Sequence, residues 1–118
     1  MYTYKADVIR VIDGDTYEVC IDLGFNLSYI CRIRLKGIDT PETWRPSSNA
    51  ELLHGEQAKE FVTNLIQDQI VTIITDKDPG AYNRYVANVI LNDDTDLAEL
   101  LIEEGFEKLK IYDDNIFE

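Results

Sequence analysis

A chain of 118 residues, 45% hydrophobic and 29% charged, is long enough to bury one real core, too short for two ordinary domains, and not disordered by composition. Its formal net charge of −12 excludes a protein that grips nucleic acid through a broad basic surface. No stretch approaches the roughly 20 apolar residues of a membrane span, and Met1 to Arg10 alternates polar and apolar residues instead of forming the apolar run of a signal peptide; the chain as given is expected to be cytoplasmic.

The charge is uneven. Residues 1–50 carry six Lys and Arg against seven Asp and Glu, and residues 51–118 carry five against sixteen. Any contact with a polyanion is therefore expected to be local, helped by divalent cations and sensitive to ionic strength.

Lys5–Ile12 reads as a first strand, with Ala6, Val8 and Arg10 on one face and Ile9, Val11 and Ile12 adding apolar bulk. Asp13-Gly14 is a strong turn signal. From Thr16 to Leu23, Tyr17, Val19, Ile21 and Leu23 alternate with Glu18, Cys20 and Asp22, the pattern of a half-buried strand. Gly24-Phe25-Asn26 turns the chain. Tyr29–Leu35 is the third strand, with Tyr29, Cys31, Ile33 and Leu35 on one face and Arg32, Arg34 and Lys36 on the other. A hairpin closing symmetrically at Phe25-Asn26 would set Cys20 opposite Cys31; a reducing compartment favours two small buried thiols over a disulfide.

Residues 39–49 form a loop with two prolines and Trp44, which is expected to pack over the site or into the barrel mouth. Ala58, Phe61, Val62, Leu65 and Ile66 recur at helical spacing and give one inward stripe, while His54 is expected just ahead of this helix in a surface or capping role. Ile70–Thr75 is a β-branched fourth strand, Asp78-Pro79-Gly80 a loop, and Arg84–Leu91 a fifth strand. Thr95 or Asp96 caps a second helix with Leu97, Leu100 and Leu101 inward, stopped by Gly105. With no repeat, linker or low-complexity tract, one domain is expected, of mainly β α+β class. The order fits a five-stranded OB-fold barrel with two or three flanking helices, a fold whose strands and loops commonly meet nucleic acid.

The chemistry-bearing residues gather at strand–turn junctions. Asp15 and Asp39 are short carboxylates of the kind that, with a backbone carbonyl and water, satisfy the hard-oxygen preference of Ca²⁺; each is equally an ordinary turn former. Glu42, three residues beyond Asp39, is either a cap or a carboxylate that orients an attacking water. Arg34 and Arg84 either line solvated strand faces or supply the planar forks that suit phosphate. Tyr82 is either packing or a surface on which a base stacks.

The segments Val11-Ile12-Asp13-Gly14-Asp15-Thr16, then Arg34-Leu35 with Ile38-Asp39-Thr40-Pro41-Glu42-Thr43, then Tyr82-Asn83-Arg84 closely resemble the staphylococcal nuclease (thermonuclease) family. The likeness extends through His54-Gly55-Glu56-Gln57-Ala58 and Leu97-Ala98-Glu99-Leu100-Leu101 to Gly105, roughly residues 6 to 112. The resemblance implies that Asp15 and Asp39 bind Ca²⁺ with the Thr40 carbonyl, and that Asp13 holds metal-bound water. It implies that Glu42 acts on the attacking water, that Arg34 and Arg84 clasp the phosphate, and that Tyr82 lies along the nucleotide. It further implies cleavage of DNA or RNA with little sequence preference, at the 5′ P–O bond, leaving 3′-phosphate ends, by a chain that is expected to be a monomer. The sequence departs from the family at Ala81, where a lysine is common, and at Ile111 and Asp113, where the family's classical member has tyrosines; Tyr112 lies one residue away. It also ends before a third helix could form in full. The competing expectation is a non-catalytic module whose acidic surface recruits a basic protein or nucleic-acid partner. Retention of the carboxylates favours the enzyme.

Overall fold

The alternation along the second strand survives in three dimensions. In a computed structural model, which describes residues 2–75 and 84–112, Tyr17, Val19 and Ile21 are buried while Glu18, Cys20 and Asp22 are not. The elements are β1 (Tyr2–Asp13), β2 (Thr16–Gly24), β3 (Leu27–Leu35), α1 (Asn49–Ile66), β4 (Ile70–Thr75), β5 (Tyr85–Ile90) and α2 (Leu97–Glu103). The strands close a barrel in the order β1-β2-β3-β5-β4, with β4 returning to β1. All pairings are antiparallel except β3 with β5. This is the expected OB-fold, mainly β and flanked by two helices among the described residues. Closure removes the free edges that an open sheet of these strands would expose.

The interior is filled by Ala6, Val8, Val11, Tyr17, Val19, Ile33, Leu35, Ile73, Ala87 and Val89, and the helices add Val62, Ile66, Leu97 and Leu101. In α1 the buried stripe includes Ala58, Val62 and Ile66 as expected, but Leu65 is 37% exposed. In α2 Leu97, Ala98 and Leu101 are buried and Leu100 is only partly so. Asp96 caps α2 by accepting from the Glu99 amide at 3.2 Å. Its far end closes through Phe106 N to Leu101 O at 2.9 Å and Gly105 N to Ile102 O at 3.1 Å. Gly105 takes φ +83° there, the left-handed step that such a helix end requires.

Two expectations are corrected by strand register and a third by where a helix begins. The β1–β2 ladder slips between Val8 and Arg10, so a bulge there turns Arg10 outward and brings Val11 in. A second slip between Asp22 and Gly24 sets Cys20 against Ile30 and Cys31 against Val19. Because opposed residues in a ladder share a face, the two thiols point to opposite faces, and both are free. The helix α1 begins earlier than expected, at Asn49 behind an Ser48 cap. His54 is consequently inside it, 5% exposed, with Nε2 2.8 Å from the Gly105 carbonyl oxygen and Nδ1 2.9 Å from the Tyr112 hydroxyl.

Candidate active site

Asp13-Gly14-Asp15 turns between β1 and β2 at the barrel end where β3 runs out. The Leu35 amide donates to the Asp15 carbonyl oxygen at 2.8 Å, and the ladder sets Thr16 beside Arg34. This local pairing is what carries the first acidic turn to the arginine nineteen positions later in the chain. The Asp15 carboxylate is largely buried. Its Oδ2 accepts from the Thr40 amide at 3.0 Å, and the Thr16 hydroxyl lies 3.2 Å from its Oδ1. Gly14 makes this approach possible: a Cβ there would lie 2.9 Å from Thr40 Oγ1 and 3.1 Å from Ala58 Cβ.

Arg34 sits at the centre. Its Nη1 donates to the carbonyls of Leu35 and, at 2.8 Å, Ile38. Its Nη2 lies 3.3 Å from Asp15 Oδ2 and also donates to Asp39 Oδ1. One cationic nitrogen therefore touches a carboxylate from each acidic turn. The Asp15 side chain is 13% exposed and that of Asp39 is 77% exposed, so the pair has a dry and a wet member. Thr40 is buried, and its Oγ1 has no hydrogen-bond partner among the described residues.

Asp13 accepts from the Thr43 hydroxyl. Burial pushes its carboxyl up, Thr43 opposes that, and the Asp15 charge adds to the rise. Glu42 is exposed on the loop. Partial desolvation and then the negative charge of Asp15 raise its carboxyl, with Lys108 acting against and Asp13 and Glu51 with that rise.

Arg84 immediately precedes β5. The parallel register sets Tyr85 beside Ile33 and Val86 beside Arg34, so strand alternation assigns Arg84 to the face that carries Arg34. Among the described residues no ion pair joins it to the carboxylates, and its Nε has no partner. Tyr82 and Ala81 lie outside the described residues. Beside Arg34, a groove of about 720 Å³ runs between Lys36–Asp39, Val86 and Glu107–Lys110. Trp44 neither covers the site nor plugs the barrel: it is 74% exposed, with the Arg45 guanidinium 5.9 Å above its ring.

The residue that sequence reasoning missed is Glu51. It is 1% exposed, and its Oε1 accepts from Ser47 N at 2.6 Å. Its Oε2 accepts from Glu42 N at 3.2 Å and lies 3.2 Å from Lys108 Nζ. Burial by itself would raise this carboxyl, but the backbone bonds from Ser47 and Glu42, the Ser47 side chain and Lys108 together bring it down to about 2. The signal was present: Ser48-Asn49-Ala50-Glu51 has capping-box spacing.

The donor set has the chemistry that a hard divalent cation needs. Two carboxylates already share one positive nitrogen, and the Thr40 backbone is bonded to one of them. Among the described residues no group of three or more His, Cys, Asp and Glu side chains forms a metal cage, so carbonyl oxygen and water would complete any coordination.

A closed five-strand barrel with paired aspartates and an arginine at one end defines the class. The chain belongs to the family described as Staphylococcal nuclease homologue, whose pattern matches residues 32–117. It is 36% identical over 114 residues to a thermonuclease of Staphylococcus hyicus, covering 96% of this chain and 62% of that protein. It is 36% identical over 109 residues to a thermonuclease of Staphylococcus intermedius, covering 92% of this chain and 61% of that protein. Protein ParB of Escherichia coli is 30% identical over 88 residues, 75% of this chain and 42% of that protein. The chain thus spans about three fifths of the two thermonucleases.

Proposed function

We propose that this chain is a Ca²⁺-dependent nuclease that hydrolyses DNA or RNA with little sequence preference, cutting the 5′ P–O bond and leaving 3′-phosphate ends. The observation that carries the reading is the single guanidinium nitrogen of Arg34 set against both Asp15 and Asp39: a cation and a diester oxygen would meet the same three side chains. Asp15, Asp39 and the Thr40 carbonyl are assigned to Ca²⁺, with Asp13 holding a metal-bound water. Bound there, the ion supplies Lewis-acid polarisation of a phosphoryl oxygen.

The remaining steps belong to the chain's own groups. Glu42, on the exposed loop beyond Asp39, accepts the proton of the attacking water at its carboxylate. Arg34, once turned from the aspartates, and Arg84 offer N–H donors to the phosphate oxygens, where negative charge builds as the water attacks. Tyr82 lies along the nucleotide.

Incubation with single-stranded DNA, with Ca²⁺ or with chelator, tests the proposal. Cleavage with Ca²⁺ that stops on chelation, with 3′-phosphate ends, is the expected result. No Ca²⁺-dependent cleavage across a broad pH range would defeat it and leave the acidic binding module, the reading that the −12 charge favours.

A further inference from the structure

Glu51 sits in the first turn of α1, where its amide is capped by Ser48 Oγ at 3.1 Å. A carboxylate that served only the helix would return to the start of that same helix. This one leaves it. Oε1 takes the Ser47 amide, and Oε2 reaches nine residues back to the amide of Glu42. The same Oε2 pairs with Lys108, whose own amide donates to the Asp39 carbonyl oxygen at 2.7 Å. The buried Glu51 carboxylate and its part-exposed lysine partner thereby tie down the backbone on both sides of Thr40. Gly55 completes the seat: a Cβ there would lie 2.7 Å from the Pro41 carbonyl oxygen and 3.0 Å from that of Glu42, so the loop lies flat on α1. The side chain of Glu42, by contrast, makes no hydrogen bond among the described residues. Its position is set through its backbone.

We infer that Glu51, with Lys108 as its counter-charge, is a positioning residue that holds Glu42 in place to act on water. The inference rests on the reading of Glu42 as the base and adds to it the group that aims the base. A carboxylate that only stabilised the fold would change how much protein is folded. One that aims Glu42 changes turnover per folded molecule, because small misplacement of a reacting group is costly.

The test measures cleavage of single-stranded DNA by wild type, Glu51→Ala, Glu51→Gln and, as a control for lost stability, Val62→Ala on the buried face of α1. Expected for Glu51→Ala is a fall in kcat of about ten- to a hundred-fold per folded molecule, with KM within about twofold. Glu51→Gln, which keeps an acceptor oxygen, recovers part of the loss, and Val62→Ala keeps its kcat. Backbone amide exchange gives a second readout, with the Glu42 and Ser47 amides exchanging faster in Glu51→Gln. An active wild type with Glu51→Ala equal to it in kcat, a loss confined to KM, or unchanged exchange at both amides would each overturn the positioning role alone. A wild type that cleaves nothing would overturn the reading of Glu42 and this inference with it.

Discussion

The two ends of the barrel are built on different principles. At one end Asp15, Thr40 and Glu51 are buried polar residues, and their carboxylates and backbone groups are bonded to named partners. At the other, Tyr2, Tyr4, Ile21, Leu23, Tyr29, Ile73 and Tyr85 line an aromatic mouth, and the β2–β3 hairpin beyond it ends in Phe25, 96% exposed. Buried charge is costly unless it is paired and hydrogen-bonded. Among the described residues that cost is accepted at one end, and the chemistry is concentrated there. The aromatic end has size and shape, but among the described residues no carboxylate lines it.

The contrast can be broken most severely at the reacting groups. Arg34→Ala is expected to lower turnover by roughly 10³-fold or more, and Glu42→Gln by about 10²- to 10⁴-fold, with circular dichroism unchanged. A Glu42→Gln protein nearly as active as wild type would place the base elsewhere. Next comes the buried carboxylate. Glu51 is held at about 2 against an ordinary 4.5. A depressed carboxyl stabilises the fold fully above pH 4.5 and loses that contribution as pH falls toward 2. Glu51→Gln should therefore cost about 3 kcal/mol at neutral pH, and the gap in Tm from wild type should close in acid. A gap independent of pH would mean that charge is not what the site uses.

A smaller effect is expected at Gly55. Alanine there improves helix propensity by about 1 kcal/mol but drives a methyl into the carbonyls of Pro41 and Glu42, a clash with backbone that costs about 1–3 kcal/mol. Gly55→Ala should end slightly destabilised and disproportionately poor in turnover; denaturant melts alongside kinetics decide it, and a variant with normal turnover would show that the loop can shift without harm. The least effect is expected at the aromatic end. Phe25 has φ 54° and Asn26 φ 61°, left-handed turn positions that suit glycine. Phe25→Gly removes little contact, so stability should hold or rise by less than about 1 kcal/mol, with activity unaltered. A fall in activity would give the exposed hairpin a part in substrate binding.

What could be read from the sequence was what repeats locally. Period-two alternation located β2, a β-branched run located β4, and the 3.6-residue stripe located α1 through Ala58, Val62 and Ile66. Asp13-Gly14 and Asp39-Thr40-Pro41 declared their turns, because such residues carry their conformational preferences with them. The start of α1 was harder: the Ser48-to-Glu51 cap was written in the chain, yet it was hidden beside a stronger apolar pattern further on.

The sequence by itself determined the five strands, the two helices, and the order of the acidic and basic residues, since these follow from side-chain spacing along a few turns or pleats. Only the tertiary structure decided that Arg10 faces out, that Cys20 and Cys31 point to opposite faces, that His54 is buried, and that Arg34 lies between two aspartates. It also decided that Glu51 reaches Glu42. Each of these depends on a one-residue slip in a ladder or on a bond between distant segments. No local period encodes either, because a slip of one residue reverses a strand's faces, and a buried charge finds its partner only when the chain has closed around it.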